Sequence, residues 1–553
     1  METDMRAAGS SPRAENKLRR DMGLLGLTFA VVGSIIGSGW LLGALSAAQV
    51  AGPASVISWI LAAVIVAVIA LIHAELSTAY PVAGGSARFP HYAFGGLAGF
   101  AAGWMGWVYS VTLAPIEVEA AIQYATNYLP GLTQKSGGVA VLTLFGYVVA
   151  GILMLVFTVI NALGVKRLSQ TNTAAVWWKI AIPLLTIITL GIVAFHPGNF
   201  TAGGGFAPFG VKGIFEALPA GVVFALIGFE QAVELAGEVR NPNRNIPRAI
   251  ISAQIIGTVI YLLLQIVFIA ALSPQNLLHG WANPISKGSF GPYAGIASGL
   301  GLTWLAILLY IDAFISPAGT GLLYIGASSR LAYALAREGY VPAILTRVSV
   351  LGVPIISLIF SFVIGLLLFL PFPGWQTFVG FVTSAAVLMY VFTPLAYAAL
   401  KRGDPDYKRP FELRGGPVLA PLGFIAANLL VYWSGWTVIW RLLVVLAFGF
   451  ILMAISLATN SARARPSLDF RHTVWLWPYL IGMAIISLLG QYGGGSGFIP
   501  QWVDIAVVAI FSLAIFYWAV ASVRPVEVVR ASIEGDRDVD LTDPTASTAE
   551  SVS

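Results

Sequence analysis

Long apolar runs follow one another along almost the whole chain, with no soluble-domain sequence between them. They fall near residues 24–50, 54–79, 96–129, 139–161, 174–195, 213–236, 249–272, 295–333, 354–371, 376–400, 417–437, 440–459, 474–490 and 502–523. About 20 apolar residues suffice for one helical span of a bilayer. In lipid only helices and closed barrels satisfy every backbone polar group. These runs are too long for the roughly 10-residue alternating strands of a barrel. The chain is therefore predicted to be an all-α polytopic membrane protein with about 14 transmembrane helices. Its charged fraction of 10% agrees, since a soluble domain carries roughly 25%. The absence of cysteine excludes disulfides, thiolate metal sites and a cysteine nucleophile. The first run is too long for the apolar core of a signal peptide and has no evident cleavage site, so no cleavable leader is expected.

The formal charge of +5 does not point to nucleic acid, because the basic residues form no patch with interleaved aromatics. Their placement is informative. Of the 30 Lys and Arg, Lys135, Lys212, Lys287 and Arg441 fall on one side of the predicted spans and Lys179 falls inside one; all the others fall in the two tails and the alternate loops. Basic residues concentrate on the cytoplasmic side. Both termini are therefore expected there, with an even number of spans. Residues 524–553 carry Glu527, Glu534, Asp536, Asp538, Asp540, Asp543 and Glu550 among Ser, Thr and Ala. They are expected to form a disordered acidic cytoplasmic tail.

The first run is interrupted by Gly33-Ser34-Ile35-Ile36-Gly37-Ser38-Gly39. Each glycine costs a helix about 1 kcal/mol relative to alanine. Small residues also serve close helix packing in membranes. The sharper reading is a broken helix, whose freed N–H groups and half-helix N-terminus face an anionic group. The sixth run has a counterpart in Phe224-Ala225-Leu226-Ile227-Gly228-Phe229-Glu230. A repeat of five spans is odd, so its second copy inserts upside down. Matching interruptions in two inverted halves point to a transporter site at the bilayer midplane.

At this point the chain resembles the amino acid–polyamine–organocation (APC) permease superfamily. The resemblance rests on Gly33–Gly39 in the first span, Pro81-Val82-Ala83-Gly84-Gly85-Ser86 after the second, and Phe224–Glu230 in the sixth. Glu238–Arg244 with Ile246-Pro247, Ser329–Gly339 with Pro342, and Arg409-Pro410-Phe411 extend it. It covers roughly residues 20–460. It implies five-plus-five inverted repeats with helices one and six broken around the substrate. The implied divisions are a cytoplasmic tail over 1–22, a permease core of about 12 helices over 23–460, an additional helix pair over 461–523, and the acidic tail. The implied location is the plasma or inner membrane of a bacterium. The resemblance gives the substrate carboxylate to Ile35, Ser38 and Gly39, through backbone N–H groups and the Ser38 hydroxyl, and places Gly37 with them in the binding site. It gives the carbonyls of Phe224, Ala225 and Ile227 the amine, with the Phe224 ring as cover. Leu226 departs from the second aromatic that many members carry, which implies a wider pocket. Gly39-Trp40-Leu41 with Pro115–Glu119 is similar to bacterial aspartate–proton symporters.

A charge near the bilayer centre costs about 2.5–3.5 kcal/mol or more, so each is a functional candidate. Lys179 either snorkels to the cytoplasmic end of its span or, as the resemblance implies, couples transport to protons. Glu230, Glu234 and Glu238 share one helix face. Glu230 matches the family acid, whereas Glu234 and Glu238 can instead pair with loop arginines such as Arg240 and Arg244. Glu117 and Glu119 are two residues apart, so at most one faces a common cavity. Asp312, just before Ser316-Pro317, is a further candidate for the pocket or relay. His73 and Glu75 read as structural.

The expected activity is proton-coupled uptake of amino acids by alternating access, with aspartate or glutamate as candidate substrates. An exchanger of amino acids or polyamines is the alternative within the class. An ionised Glu117 or Glu119 would repel an acidic substrate and favours neutral or cationic ones. A membrane-embedded enzyme is disfavoured because the sequence has no H-E-x-x-H, G-x-x-x-x-G-K-[ST] or G-x-S-x-G. The five histidines are dispersed, so no metal is expected. A channel would not require two inverted breaks. Protons as coupling ion replace any cofactor. The expected partners are the amino acid and the lipid bilayer, with no obligate protein partner and no nucleic acid.

Overall fold

The computed structural model describes residues 22–81, 85–136, 139–164, 168–236, 239–285, 291–459 and 466–542. The tail before Met22, Val82–Gly84, Glu238 and residues 543–553 lie outside the described residues.

The first span is two helices, α1 (Leu24–Ile35) and α2 (Gly39–Ala51). A turn through Gly52, with φ 62°, leads into α3 (Ser55–Ala79). The short α4 (Gly85–Phe94) and the long α5 (Gly96–Ala125) follow. An antiparallel hairpin, β1 (Thr133–Ser136) and β2 (Val139–Leu142), pairs Thr133 with Leu142. It precedes α6 (Leu144–Ala162) and α7 (Leu168–Val193). The sixth span is in pieces, α8 (Gly210–Glu216), α9 (Val223–Leu226) and α10 (Glu230–Glu234). The chain continues as α11 (Pro242–Ala271), α12 (Pro292–Gly299), α13 (Thr303–Arg337), α14 (Ile355–Leu368) and α15 (Trp375–Gly403). It ends with α16 (Gly416–Trp433), α17 (Trp436–Thr459), α18 (Leu476–Leu489), α19 (Gln501–Ala521) and α20 (Val526–Thr542).

Ten helical segments among the described residues are long and apolar enough to cross a membrane, α2 and α3 counting as one. The chain is a multi-pass membrane protein. The sequence offers fourteen apolar runs where the helices give ten segments, and the difference has a local cause. Runs one and two merge, run six is fragmented, and α14 and α18 have 14 residues each. Burial separates centre from periphery. α5 is buried from Gly96 to Tyr124, and α15 is almost as enclosed. α6 instead exposes Leu144, Val148, Ile152, Leu155 and Val159, the apolar face that a lipid-facing helix presents.

The C-terminal segment corrects one expectation. Val526–Thr542 is helical rather than disordered. Val529 and Ile533, four apart, are buried, so this face docks on the protein while Glu527 and Glu534 stay exposed. Arg524 N donates to Ala93 O at 3.0 Å, and Arg524 Nε lies 2.8 Å from Asp469 Oδ2. Acidic composition hid a short amphipathic pattern.

The helices after residue 460 are joined to the rest by polar side chains. Asn428 on α16 donates to Ser512 Oγ on α19 at 2.9 Å and accepts from Tyr479 on α18 at 2.8 Å. Tyr432 donates to Asp504 Oδ2 at 2.5 Å. At the same end, Lys212 Nζ on α8 donates to Gln491 O at 3.2 Å. Phe215 stacks on Trp433 with ring centroids 4.4 Å apart.

Candidate functional site

The break in the first span leaves backbone groups that a continuous helix would pair internally. Ile36 N still reaches Val32 O at 2.9 Å, but Gly37 N turns to Ile35 O at 3.2 Å. The carbonyl of Gly33 and the N–H of Ser38 must therefore find other partners, and Ile35 O takes a second donor. Each partner comes from a different helix. Lys179 Nζ on α7 donates to Gly33 O at 3.0 Å. Tyr261 OH on α11 donates to Ile35 O at 2.9 Å. Ser38 N donates to Glu117 Oε2 on α5 at 2.8 Å. Lys179 Nζ also donates to Thr320 Oγ1 on α13 at 2.9 Å. Lys179 is 3% exposed, so it does not snorkel out of its span.

The glycines are required here by close approach. A Cβ on Gly37 would lie 2.6 Å from Glu117 Oε1, and one on Gly39 would lie 2.8 Å from Ala225 Cβ. The second contact brings the two interrupted spans together. On the other side of that contact Ile227 is extended, with ψ 157°, and Gly228 has φ 134°, a conformation that suits glycine. Both interruptions expected from the sequence are thus present. Ile35, Gly37, Ser38, Gly39, Phe224, Ala225 and Ile227 line the two breaks, and all are buried. Trp375 Nε1 on α15 donates to Ser38 Oγ at 2.9 Å, and its ring meets Phe224 edge-on at 5.7 Å.

Glu230 sits at the start of α10 and accepts from four donors. Tyr109 OH and Tyr324 OH each reach Oε1 at 3.0 Å, Tyr390 OH reaches Oε2 at 2.6 Å, and Gly228 N reaches Oε2 at 3.1 Å. Tyr324 OH also lies 2.7 Å from Ser34 Oγ, which ties this acid to the first span. Tyr109, Ser110, Glu230, Glu234, Tyr324 and Met389 line a small cleft. Glu234 accepts from Gln231 Nε2 at 3.2 Å.

The remaining acids separate. Glu117 faces the first break; Glu119, turned to another face by its helical spacing, is buried, and its oxygens have no hydrogen-bond partner among the described residues. Asp312 accepts from Trp40 Nε1 at 3.0 Å and from Ser316 Oγ at 2.8 Å. His73 contacts Ile69 O and Thr393 Oγ1, each at 2.9 Å. Glu75 accepts from Leu413 N, Tyr397 OH and Lys401 Nζ. That pairing binds α3 to the end of α15, away from the breaks.

Sequence reasoning did not select Trp375, Thr320, Tyr261, Tyr109, Tyr324 or Tyr390. A tyrosine inside an apolar span needs a partner for its hydroxyl, which was the available signal for four of them. Thr320 follows the Pro317 kink by three residues. Trp375 carried no local signal.

The chain is similar in sequence to known amino acid transporters. The family model described as amino acid permease matches residues 22–486. That match runs past residue 460 into α18. The aspartate-proton symporter of Bacillus subtilis (strain 168) is 38% identical over 526 residues, covering 95% of this chain and 99% of that protein. The glutamate/serine transporter AimA of the same organism is 36% identical over 526 residues, covering 94% and 97%. The branched-chain amino acid permease BcaP, also from Bacillus subtilis (strain 168), is 28% identical over 451 residues, covering 79% and 93%.

Proposed function

The chain belongs to the amino acid permease (APC) family and is an amino acid transporter rather than an enzyme; from this we infer that it is a proton-coupled importer working by alternating access. The reading includes the five-plus-five inverted repeat, about 14 spans and cytoplasmic termini. The observation that carries it is Lys179. Its ammonium holds Gly33 O at the first break and Thr320 Oγ1 on α13 together, at 3.0 and 2.9 Å. A cation in that place links the broken helix to a neighbouring one without a bound metal ion. Losing its proton removes a charge-assisted hydrogen bond and loosens that link. A proton gradient can thereby bias which side the breaks open to.

The substrate carboxylate is assigned to the break formed by Ile35, Gly37, Ser38 and Gly39, where the dipole at the N-terminus of α2 favours an anion. The amine is assigned to the carbonyls of Phe224, Ala225 and Ile227. Glu230, with its three tyrosines, is the second proton-coupling group. The names of the two relatives covered almost end to end support aspartate, glutamate and serine as the first substrates to test.

The experiment is uptake of labelled amino acids into proteoliposomes, with and without an imposed pH gradient. Accumulation above equilibrium in wild type, and its loss in Lys179→Ala, is the expected result. Unchanged gradient-driven accumulation in Lys179→Ala overturns the role of Lys179. Counterflow indifferent to the gradient indicates an exchanger.

A further inference from the structure

Glu117 holds a place at the first break to which transport as read above gives no role. Its carboxylate accepts the Ser38 N–H at 2.8 Å, one of the donors assigned above to the substrate carboxylate. Its other oxygen fills the space beside Gly37, where a Cβ would lie 2.6 Å away. The chain thus places a carboxylate of its own at the N-terminus of α2. The charged and titratable groups that face Glu117 are Lys179 of α7 and Tyr261 of α11, while α13 brings Thr320 and Gly321 alongside. Glu117 is 1% exposed.

We propose that Glu117 is an internal competitor for the substrate carboxylate, displaced from Ser38 N–H and protonated when an amino acid binds. The inference rests on the transport reading above and adds a substrate-linked proton to it. Two carboxylates cannot share one N–H and the space beside one glycine. Two negative charges that close in a low-dielectric interior repel strongly. The arriving carboxylate takes the hydrogen bond, and Glu117 takes one proton from solution and becomes a neutral acid. When the amino acid leaves, Glu117 releases that proton and returns to Ser38 N–H. The substrate and the proton therefore bind together. A free α-carboxylate is required of the ligand, and an amino acid ester does not displace Glu117.

The test is calorimetric binding of aspartate, glutamate and serine to the purified full-length protein. It is repeated in two buffers of different ionisation heat, which reports proton uptake directly. Wild type is expected to take up about one proton per amino acid bound, with affinity that falls as pH rises. Glu117→Gln is expected to take up none, to bind up to about tenfold tighter, and to lose the pH dependence of its Kd. Wild-type binding without proton uptake overturns the proposal while leaving transport intact, and that measurement needs no variant. Proton uptake kept by Glu117→Gln overturns it in favour of another acceptor. If no amino acid binds the wild type, the transport reading falls and this inference falls with it.

Discussion

Arg530 of α20 donates through Nε and Nη2 to both carboxylate oxygens of Asp404, at 2.7 and 2.8 Å, across 126 residues of sequence. This bidentate pair fixes α20 against the end of α15. The guanidinium holds the Asp404 carboxyl below the usual carboxylate range. A carboxyl with a lower value folded than unfolded adds stability above its ordinary titration range. It loses that stability as pH falls through the depressed value. Docking of α20 should therefore weaken in acid and be weak at every pH in Asp404→Asn. The chain has no cysteine, so a spin label at Glu534→Cys reports α20 alone. A label whose mobility is the same in both proteins from neutral to acidic pH would refute this.

Gly39 is where the two interrupted spans touch. In Gly39→Ala the new Cβ meets Ala225 Cα at 2.9 Å as well as its Cβ, and backbone cannot swing aside as a side-chain end can. Overpacking of this kind costs about 1–3 kcal/mol. The expected outcome is a protein that still inserts but transports at least about fivefold more slowly, since about 1.4 kcal/mol is one decade in rate. Wild-type uptake at equal membrane abundance would show that the contact is not needed.

Tyr390 makes the shortest bond to Glu230, at 2.6 Å. Removing one donor to a buried acid costs about 1.5 kcal/mol. Tyr390→Phe should lower the unfolding midpoint in detergent and weaken gradient-driven accumulation. Tyr390→Phe in a Glu230→Gln background should cost less than in wild type, and a double-mutant cycle measures the difference. Strictly additive effects would mean that the two residues do not act as a unit.

Trp375→Phe keeps a ring against Phe224 but loses the donor to Ser38 Oγ. A neutral hydrogen bond contributes about 1 kcal/mol, so the KM for the transported amino acid should rise roughly fivefold. Tested at matched expression, a lower maximal rate with an unchanged KM would move Trp375 out of the binding surface.

The parts of this molecule that were legible in the sequence are those written in contiguous residues. Gly33–Gly39 and Gly228 announce the breaks because helix propensity is local. Lys179 and Glu230 stand out because a charge in an apolar run is costly wherever it lies. The partners of those groups are another matter. Tyr109, Tyr324 and Tyr390 come from α5, α13 and α15, and one-dimensional periodicity does not reveal that they converge on one carboxylate. Glu117 and Glu119 could be separated by helical rotation, but the choice between them needed the position of α1. The helix at Val526–Thr542 was missed because the docking residues described on it, Val529 and Ile533, lie inside an acidic segment.

The attachment of Lys212 to Gln491 O, with Phe215 laid flat on Trp433, has a mechanical meaning. α8 lies just ahead of the sixth break, so a swing of that segment drags on the turn between α18 and α19 or tears free of it. On the alternating-access reading proposed above, the late helices would act as a brake on opening, set by residues that never meet the cargo.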